Sequence, residues 1–188
     1  ALMQALLILS HNALALWGTV TLVVYILLTA HRWTWILAAG ASMALGFAMA
    51  AYFWFPAVDM LSLIEASNVG RMFGNPERVR TQAISWQQLF LEQYGSGGAK
   101  GVATSSFACN QGRLVMLCVL LSVIAWVRPG LSKLSRHRLG AALVLMVGLW
   151  FVMSPAMPWE RVPGMFRYLQ FPWRLLVLTS CLGCAAIA

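Results

Sequence analysis

Charge is scarce in this chain. Of its 188 residues only 10% are Asp, Glu, Lys or Arg, and five are acidic. A soluble domain usually carries about 25% charged residues. So few charges could not screen a chain that is 61% hydrophobic from water, which excludes a soluble enzyme. The same apolar richness excludes a disordered chain. Cysteine is sparse too, with four in all: Cys109, Cys118, Cys181 and Cys184. That is no framework for a disulfide-stapled secreted domain. Cys181 and Cys184 make a CxxC, but zinc needs four ligands and no His or further Cys is near them in sequence, so no metal site is read here. The apolar runs are continuous rather than alternating, which argues against a membrane β-barrel. P-loop, GxGxxG, HExxH and nucleophile-elbow patterns are lacking. No basic n-region or cleavage site marks a signal peptide at the start.

What remains is an all-α integral membrane protein, a polytopic helix bundle. The mean hydropathy of +0.76 agrees. The net charge of +8 would suggest nucleic acid in a soluble protein. Here the cations fall between apolar runs, so we read them as topology and lipid-phosphate signals and expect no nucleic-acid partner.

A span of about 30 Å of hydrocarbon takes roughly 20 helical residues. Residues 1–56 hold transmembrane helices. Ala1–Leu9 is short and reads as the tail of a truncated first helix, Ala13–Ala30 is a charge-free span, and Thr34–Phe55 returns, ended or kinked by Pro56. Residues 57–112 are an extracytoplasmic loop, with four of the five acids and the run Gly95-Ser96-Gly97-Gly98. Within it, Ser85–Tyr94 places Trp86, Leu89, Phe90 and Gln93 at helical spacing, which predicts a short interfacial helix. Residues 113–188 return to transmembrane helices, with a basic loop at 128–138 and a Pro-rich, aromatic loop at 155–173; the last helix is expected to be truncated. Both ends lie in apolar runs, so we expect a piece of a longer chain.

Loop 128–138 carries Arg128, Lys133, Arg136 and Arg138 with no acid. The positive-inside rule puts it in the cytoplasm, with His31-Arg32 on the same side by parity. The 57–112 and 155–173 loops then share the outer face with Ser10-His11-Asn12. The expected location is the inner cell membrane, crossed several times.

Few residues could carry chemistry. His11 and Asn12 sit at an outer helix start, either as caps or facing a cavity, where an ionisable group at membrane depth is a functional candidate. Asp59, three residues past Pro56, is either a solvated carboxylate or a second candidate. Arg161, Arg167 and Arg174 punctuate RVPGMFRYLQFPWR, with Tyr168 and Trp173 among the aromatics. They are either an aromatic belt with snorkelling arginines or a site for a lipid phosphate. Pro172 suits a first helical turn, so Trp173 and Arg174 would open a helix whose N-terminus favours anions.

Three stretches together, LLILSHNALALW (6–17), AAYFWFPAVDML (50–61) and MFRYLQFPWRLL (165–176), resemble the 6-pyruvoyl-tetrahydropterin synthase-related membrane domains and the YfhO-like GT-C-fold glycosyltransferases. The pterin in that name implies no pterin chemistry. The resemblance implies a GT-C-like bundle that takes a polyprenyl-phosphate-linked sugar and transfers the sugar on the outer face. It leaves a divalent cation as a candidate cofactor, to neutralise the leaving phosphate. The catalytic acid of such enzymes lies in a first outer loop, ahead of the residues matched here, so the catalytic base stays unassigned. What carries over is His11, Asn12, Asp59 and the Phe171–Arg174 element, as cavity and lipid-phosphate residues, with membrane lipids and other membrane subunits as partners. Two other classes stand beside the enzyme: a non-catalytic scaffold or accessory subunit of a larger membrane complex, and a transporter. No span interior carries a charge, which weighs against the transporter.

Overall fold

The computed structural model describes residues 1–10, 12–60, 75–90, 111–167 and 172–185. The side chains of Ser10, Asn12, Ala13, Met165, Trp173 and Ala185 are outside the description. The described residues are all-helical, with no strand. They divide into two compact units, residues 1–75 with 163–169, and residues 76–162 with 170–188.

In the first unit, α1 (Leu2–Ser10) packs on both α2 (Asn12–Thr29) and α3 (Trp33–Met49). The packing is close because the facing residues are small. A Cβ placed on Gly46 would lie 2.7 Å from the Ala1 carbonyl oxygen and 2.7 Å from Gln4 Cβ. Ala5, Ala15 and Ala50 join Ile8 in the apolar core. Buried Gln4 donates from Nε2 to Thr19 Oγ1 on α2. Small residues that let backbones approach, with a polar cross-link, are how helices associate where water supplies no hydrophobic drive.

The run expected to cross as one span to Phe55 is broken earlier. α3 ends at Met49, and α4 (Ala51–Asp59) leaves at 64°. Pro56 sits inside α4 rather than at its end. It offers no N–H to the Tyr52 carbonyl, a loss inside α4 and downstream of the break at Ala50. The Trp54 indole N–H bridges the break, donating to the Phe47 carbonyl at 2.9 Å. That carbonyl is one that the end of α3 would otherwise leave orphaned.

The second unit is built on α7 (Arg113–Val127), α8 (Lys133–Met153) and α10 (Leu176–Ala185). α7 starts at Arg113, after Gly112 takes φ +76°, a left-handed conformation that glycine adopts without strain. α10 runs antiparallel to α8: a Cβ on Gly183 would meet Met146 Cε at 3.5 Å, while Thr179 and Trp150 share a hydrogen-bond acceptor. The basic segment 128–138 is a tight turn only as far as Ser132; from Lys133 it is the first two turns of α8. α8 stops at Met153, ahead of Ser154 and Pro155.

The C-terminal end of α8 gathers the rest of this unit. The Ile84 N–H donates to the Met153 carbonyl at 2.9 Å. Helix α5 (Pro76–Thr81) packs on the 3-10 turn Trp159–Arg161. The short α6 (Trp86–Phe90) is closed by a reciprocal cap, in which the Gln88 N–H donates to Ser85 Oγ and the Ser85 N–H donates to Gln88 Oε1. Leu89 is buried, and Phe90 meets Trp150 edge-on at 4.9 Å. Trp86 stacks on Phe90 and stays 45% exposed. Residues 91–94 of the predicted interfacial helix lie outside the described residues.

Five spans or part-spans are expected from the sequence. Among the described residues α8, with 21 residues, is long and apolar enough to cross a membrane, and the bent pair α3–α4 passes the same test together. The apolar stretches Leu14–Thr29 and Arg113–Val127 are shorter.

Candidate functional site

The residues singled out in the sequence fall into both units. In the first, α1 is described to Ser10 and α2 from Asn12. His11 itself, and the side chain of Asn12, lie outside the described residues. Asp59 is the last residue of α4 and is exposed. A carboxylate at a helix C-terminus faces the negative end of the dipole, so the helix itself does not favour it there.

Arg167 also belongs to the first unit. It closes α9 (Gly164–Arg167), a single turn held against α2. The Trp17 indole N–H donates to the Phe166 carbonyl at 3.3 Å, and the two rings meet edge-on at 5.3 Å. Arg167 is half-buried, and its Nε has no hydrogen-bond partner among the described residues. Tyr168, the next residue, is outside them.

Arg161 and Arg174 belong to the second unit, at the C-terminal end of α8. Arg161 ends the 3-10 turn whose Trp159 is fully buried; its own side chain is exposed. Pro172 opens a turn, as its fixed φ suggests, but the turn is a 3-10 helix, Pro172–Leu175, and the α-helix starts only at Leu176. Fully buried Leu175 pins this turn against α8, while Trp173 lends only its backbone to the description. Arg174 is half-buried in that turn, ahead of α10, and desolvation there lowers its pKa from the usual arginine value. Starting from so basic a group, it remains a cation throughout the physiological range. Nearby, Arg80 and Glu160 approach to 3.9 Å with both side chains 56% exposed, a pair worth under about 1 kcal/mol.

A buried glutamine that no sequence motif marks links the helices of this unit. Gln111 is 3% exposed, and its three side-chain hydrogen bonds tie together separate helices. Oε1 accepts from Trp150 Nε1 at 2.9 Å and from Thr179 Oγ1 at 2.6 Å, and Nε2 donates to Ser180 Oγ at 3.2 Å. Its backbone N–H donates to the Leu89 carbonyl at 3.1 Å. Ser180 Oγ donates to the Leu176 carbonyl at 2.7 Å, and the single Thr179 hydroxyl proton lies between Gln111 Oε1 and that same carbonyl, at 2.6 and 3.0 Å. Every partner here is satisfied within the group, so it holds the bundle rather than offering groups to a ligand. The available signal was a Gln at the border of an apolar run, matched by a Thr-Ser pair inside another.

Among the described residues no three His, Cys, Asp or Glu converge as metal ligands. Comparison with protein-family models, with curated proteins and with solved structures finds no match to this chain.

Proposed function

We propose that the chain is the membrane-embedded part of a polytopic inner-membrane protein of GT-C type, which handles a polyprenyl-phosphate-linked sugar at the outer face. The membrane half of this reading is supported by one observation: the helices turn large apolar side chains outward as well as inward. Leu117, Leu120, Leu121, Ile124 and Val127 of α7 are exposed, as are Val144, Val147 and Phe151 of α8. The inward positions hold apolar side chains such as Met146, Leu149 and Trp150, with Gln4, Thr21, Gln111, Ser122 and Thr179 among them. The hydroxyls are satisfied at home: Thr21 donates to the Trp17 carbonyl at 2.8 Å and Ser122 to the Cys118 carbonyl at 2.7 Å. In water this arrangement would waste apolar surface; in lipid, which replaces the solvent on the outer faces, it is the economical one.

The transferase half rests on the resemblance of the LSHN and QFPWR elements, with Arg174 in its turn at the end of α8 as the cation that would meet a phosphate. A guanidinium can hold a phosphate by two parallel N–H bonds. Supported equally by the self-satisfied Gln111 group is a scaffold role, in which the bundle positions other subunits and binds no sugar carrier.

Two measurements test the two halves. A Cys introduced at Ser96 should be labelled by an impermeant maleimide from outside, and one at Ser135 should not; the reverse pattern sinks the orientation and the outer-face site with it. Purified protein incubated with a radiolabelled polyprenyl-phosphate sugar should retain the lipid. Failure to retain it, with labelling as expected, leaves the scaffold reading.

A further inference from the structure

At the opposite end of α8 from Arg174 is a cationic patch that the readings above use only to set orientation. The α7–α8 hairpin turns at Arg128-Pro129-Gly130, where Gly130 takes φ +113°. Arg136 Nη2 closes the turn on the Arg128 carbonyl at 3.0 Å. Ser132 caps α8, its Oγ accepting from the Ser135 N–H at 3.0 Å. The tip is therefore built, not merely exposed. It presents Arg128, Lys133 and Arg136 at the surface, the last two at i and i+3 on one helix face. Half-buried Arg138 adds a further charge.

These cations are placed where the fold alone disfavours them. The first turn of α8 contains no acid. The N-terminus of a helix is already the positive end of its dipole, so cations there repel it and one another. The described acids of this unit, Glu77 and Glu160, lie at the other end of α8, where α5 packs on the Trp159–Arg161 turn. That helix has 21 residues, so the separation is about 30 Å at 1.5 Å per residue. Screening at physiological salt acts over about 8 Å, so those acids do not neutralise the tip.

Beside the cations is apolar surface. Trp126, Val127 and Leu134 are exposed around the tip. The Trp126 indole lies over Gly140, where a Cβ would come within 3.0 Å of Nε1. Exposed Trp beside Lys and Arg is the pattern of a membrane interface, with rings at headgroup depth and cations at the phosphates.

We propose that this hairpin tip is a binding site for the phosphate headgroups of anionic phospholipids in the cytoplasmic leaflet. The proposal rests on the membrane reading above and is independent of sugar transfer. Each cation near an anionic leaflet contributes to attraction that zwitterionic lipid does not supply.

The test is made on the whole chain, purified in detergent and offered phosphatidylglycerol or phosphatidylcholine, with retained lipid counted by native mass spectrometry. Phosphatidylglycerol should be retained about tenfold better. R128Q/K133Q should remove most of that preference, and it leaves the Arg128 carbonyl and the Ser132 cap in place. R78Q/R80Q, at the other end of the bundle, should keep it. A hairpin variant with undiminished preference overturns the proposal. So does displacement of phosphatidylglycerol by inorganic phosphate at equal concentration, which would make this a free-phosphate site. Carbonate extraction from native membranes separates the two levels: wild-type protein that washes out defeats the membrane reading itself, whereas protein that stays in and shows no lipid preference defeats only the tip site.

Discussion

The two units hold their helices together by different means. In the first, α1 reaches α3 through a missing side chain: Gly46 lets the Ala1 carbonyl and Gln4 approach to distances that no Cβ would tolerate. Its core is mostly alanine, with one polar cross-link from Gln4 to Thr19. In the second, large side chains such as Met146, Trp150, Met153 and Leu175 fill the interior, and a single glutamine binds two helices. Where lipid rather than water surrounds the helices, burial of apolar area gives little drive to association. Close backbone contact and internal hydrogen bonds are the two remaining sources of specificity, and each unit leans mainly on one.

The comparison breaks most easily at Gly46. Gly46→Leu should cost about 3 kcal/mol, the upper end for overpacking a tight contact. Gly40 lies on the same helix with nothing within 4 Å of where its Cβ would be. Gly40→Ala should therefore be neutral or stabilising by up to about 1 kcal/mol, from helix propensity alone. Unfolding in mixed micelles, followed by circular dichroism, reads both. Equal effects at the two glycines would mean that close approach is not what holds the first unit.

Next in size is Gln111→Ala. The Thr179 hydroxyl could turn fully to the Leu176 carbonyl and Ser180 would keep its bond there, but the Trp150 indole N–H would lose its acceptor in a buried place. An orphaned buried donor costs about 1–3 kcal/mol, so a loss of about 2 kcal/mol is expected. Trp150→Phe in the same background should recover much of it, because the donor goes with its acceptor. A Gln111→Ala variant as stable as the parent would leave side-chain packing as the sole support of the second unit.

A smaller effect is expected at Thr19→Val. It removes the acceptor of Gln4 Nε2 while keeping shape. Hydrogen bonds between membrane helices average about 0.6 kcal/mol and reach about 1.7. A loss near 1 kcal/mol, read by the same unfolding assay, would rank the polar link of the first unit below its Gly46 contact.

These differences mark what could be read ahead of the structure. The helical class followed from continuous apolar runs with few charges, and the stop of α8 followed from Ser154-Pro155, since proline ends helices at its preceding residues. Such signals are local. The break at Ala50 was not legible, because the apolar run carries no Gly or Pro signal at that point and Pro56 lies further on, inside α4. The Gln111 group was illegible for a different reason: its partners are 39 and 68 residues away, and nothing in a single apolar run says which neighbouring run its hydroxyls will face. The arginines of RVPGMFRYLQFPWR looked like one cluster in sequence. They are shared between units, Arg167 in the first and Arg161 and Arg174 in the second.

The smallest effect on stability, and the one that bears on function, is expected at Arg174. It is half-buried in the Pro172–Leu175 turn, and burial lowers its pKa without taking it out of the charged form near neutral pH. Arg174→Lys keeps the cation and most of the apolar stem, so stability should change by less than about 0.5 kcal/mol. The planar two-donor face is lost, and an ammonium meets a phosphate as a point charge. If Arg174 grips a phosphate bidentately, retention of the polyprenyl-phosphate sugar should fall about tenfold, equivalent to about 1.4 kcal/mol. A snorkelling arginine predicts something else, since either cation can reach headgroups and lysine would serve as well. Sugar-lipid retention by the Lys variant, measured beside its unfolding midpoint, separates the two: a drop in retention at unchanged stability assigns the guanidinium to the phosphate, and unchanged retention returns Arg174 to the aromatic belt.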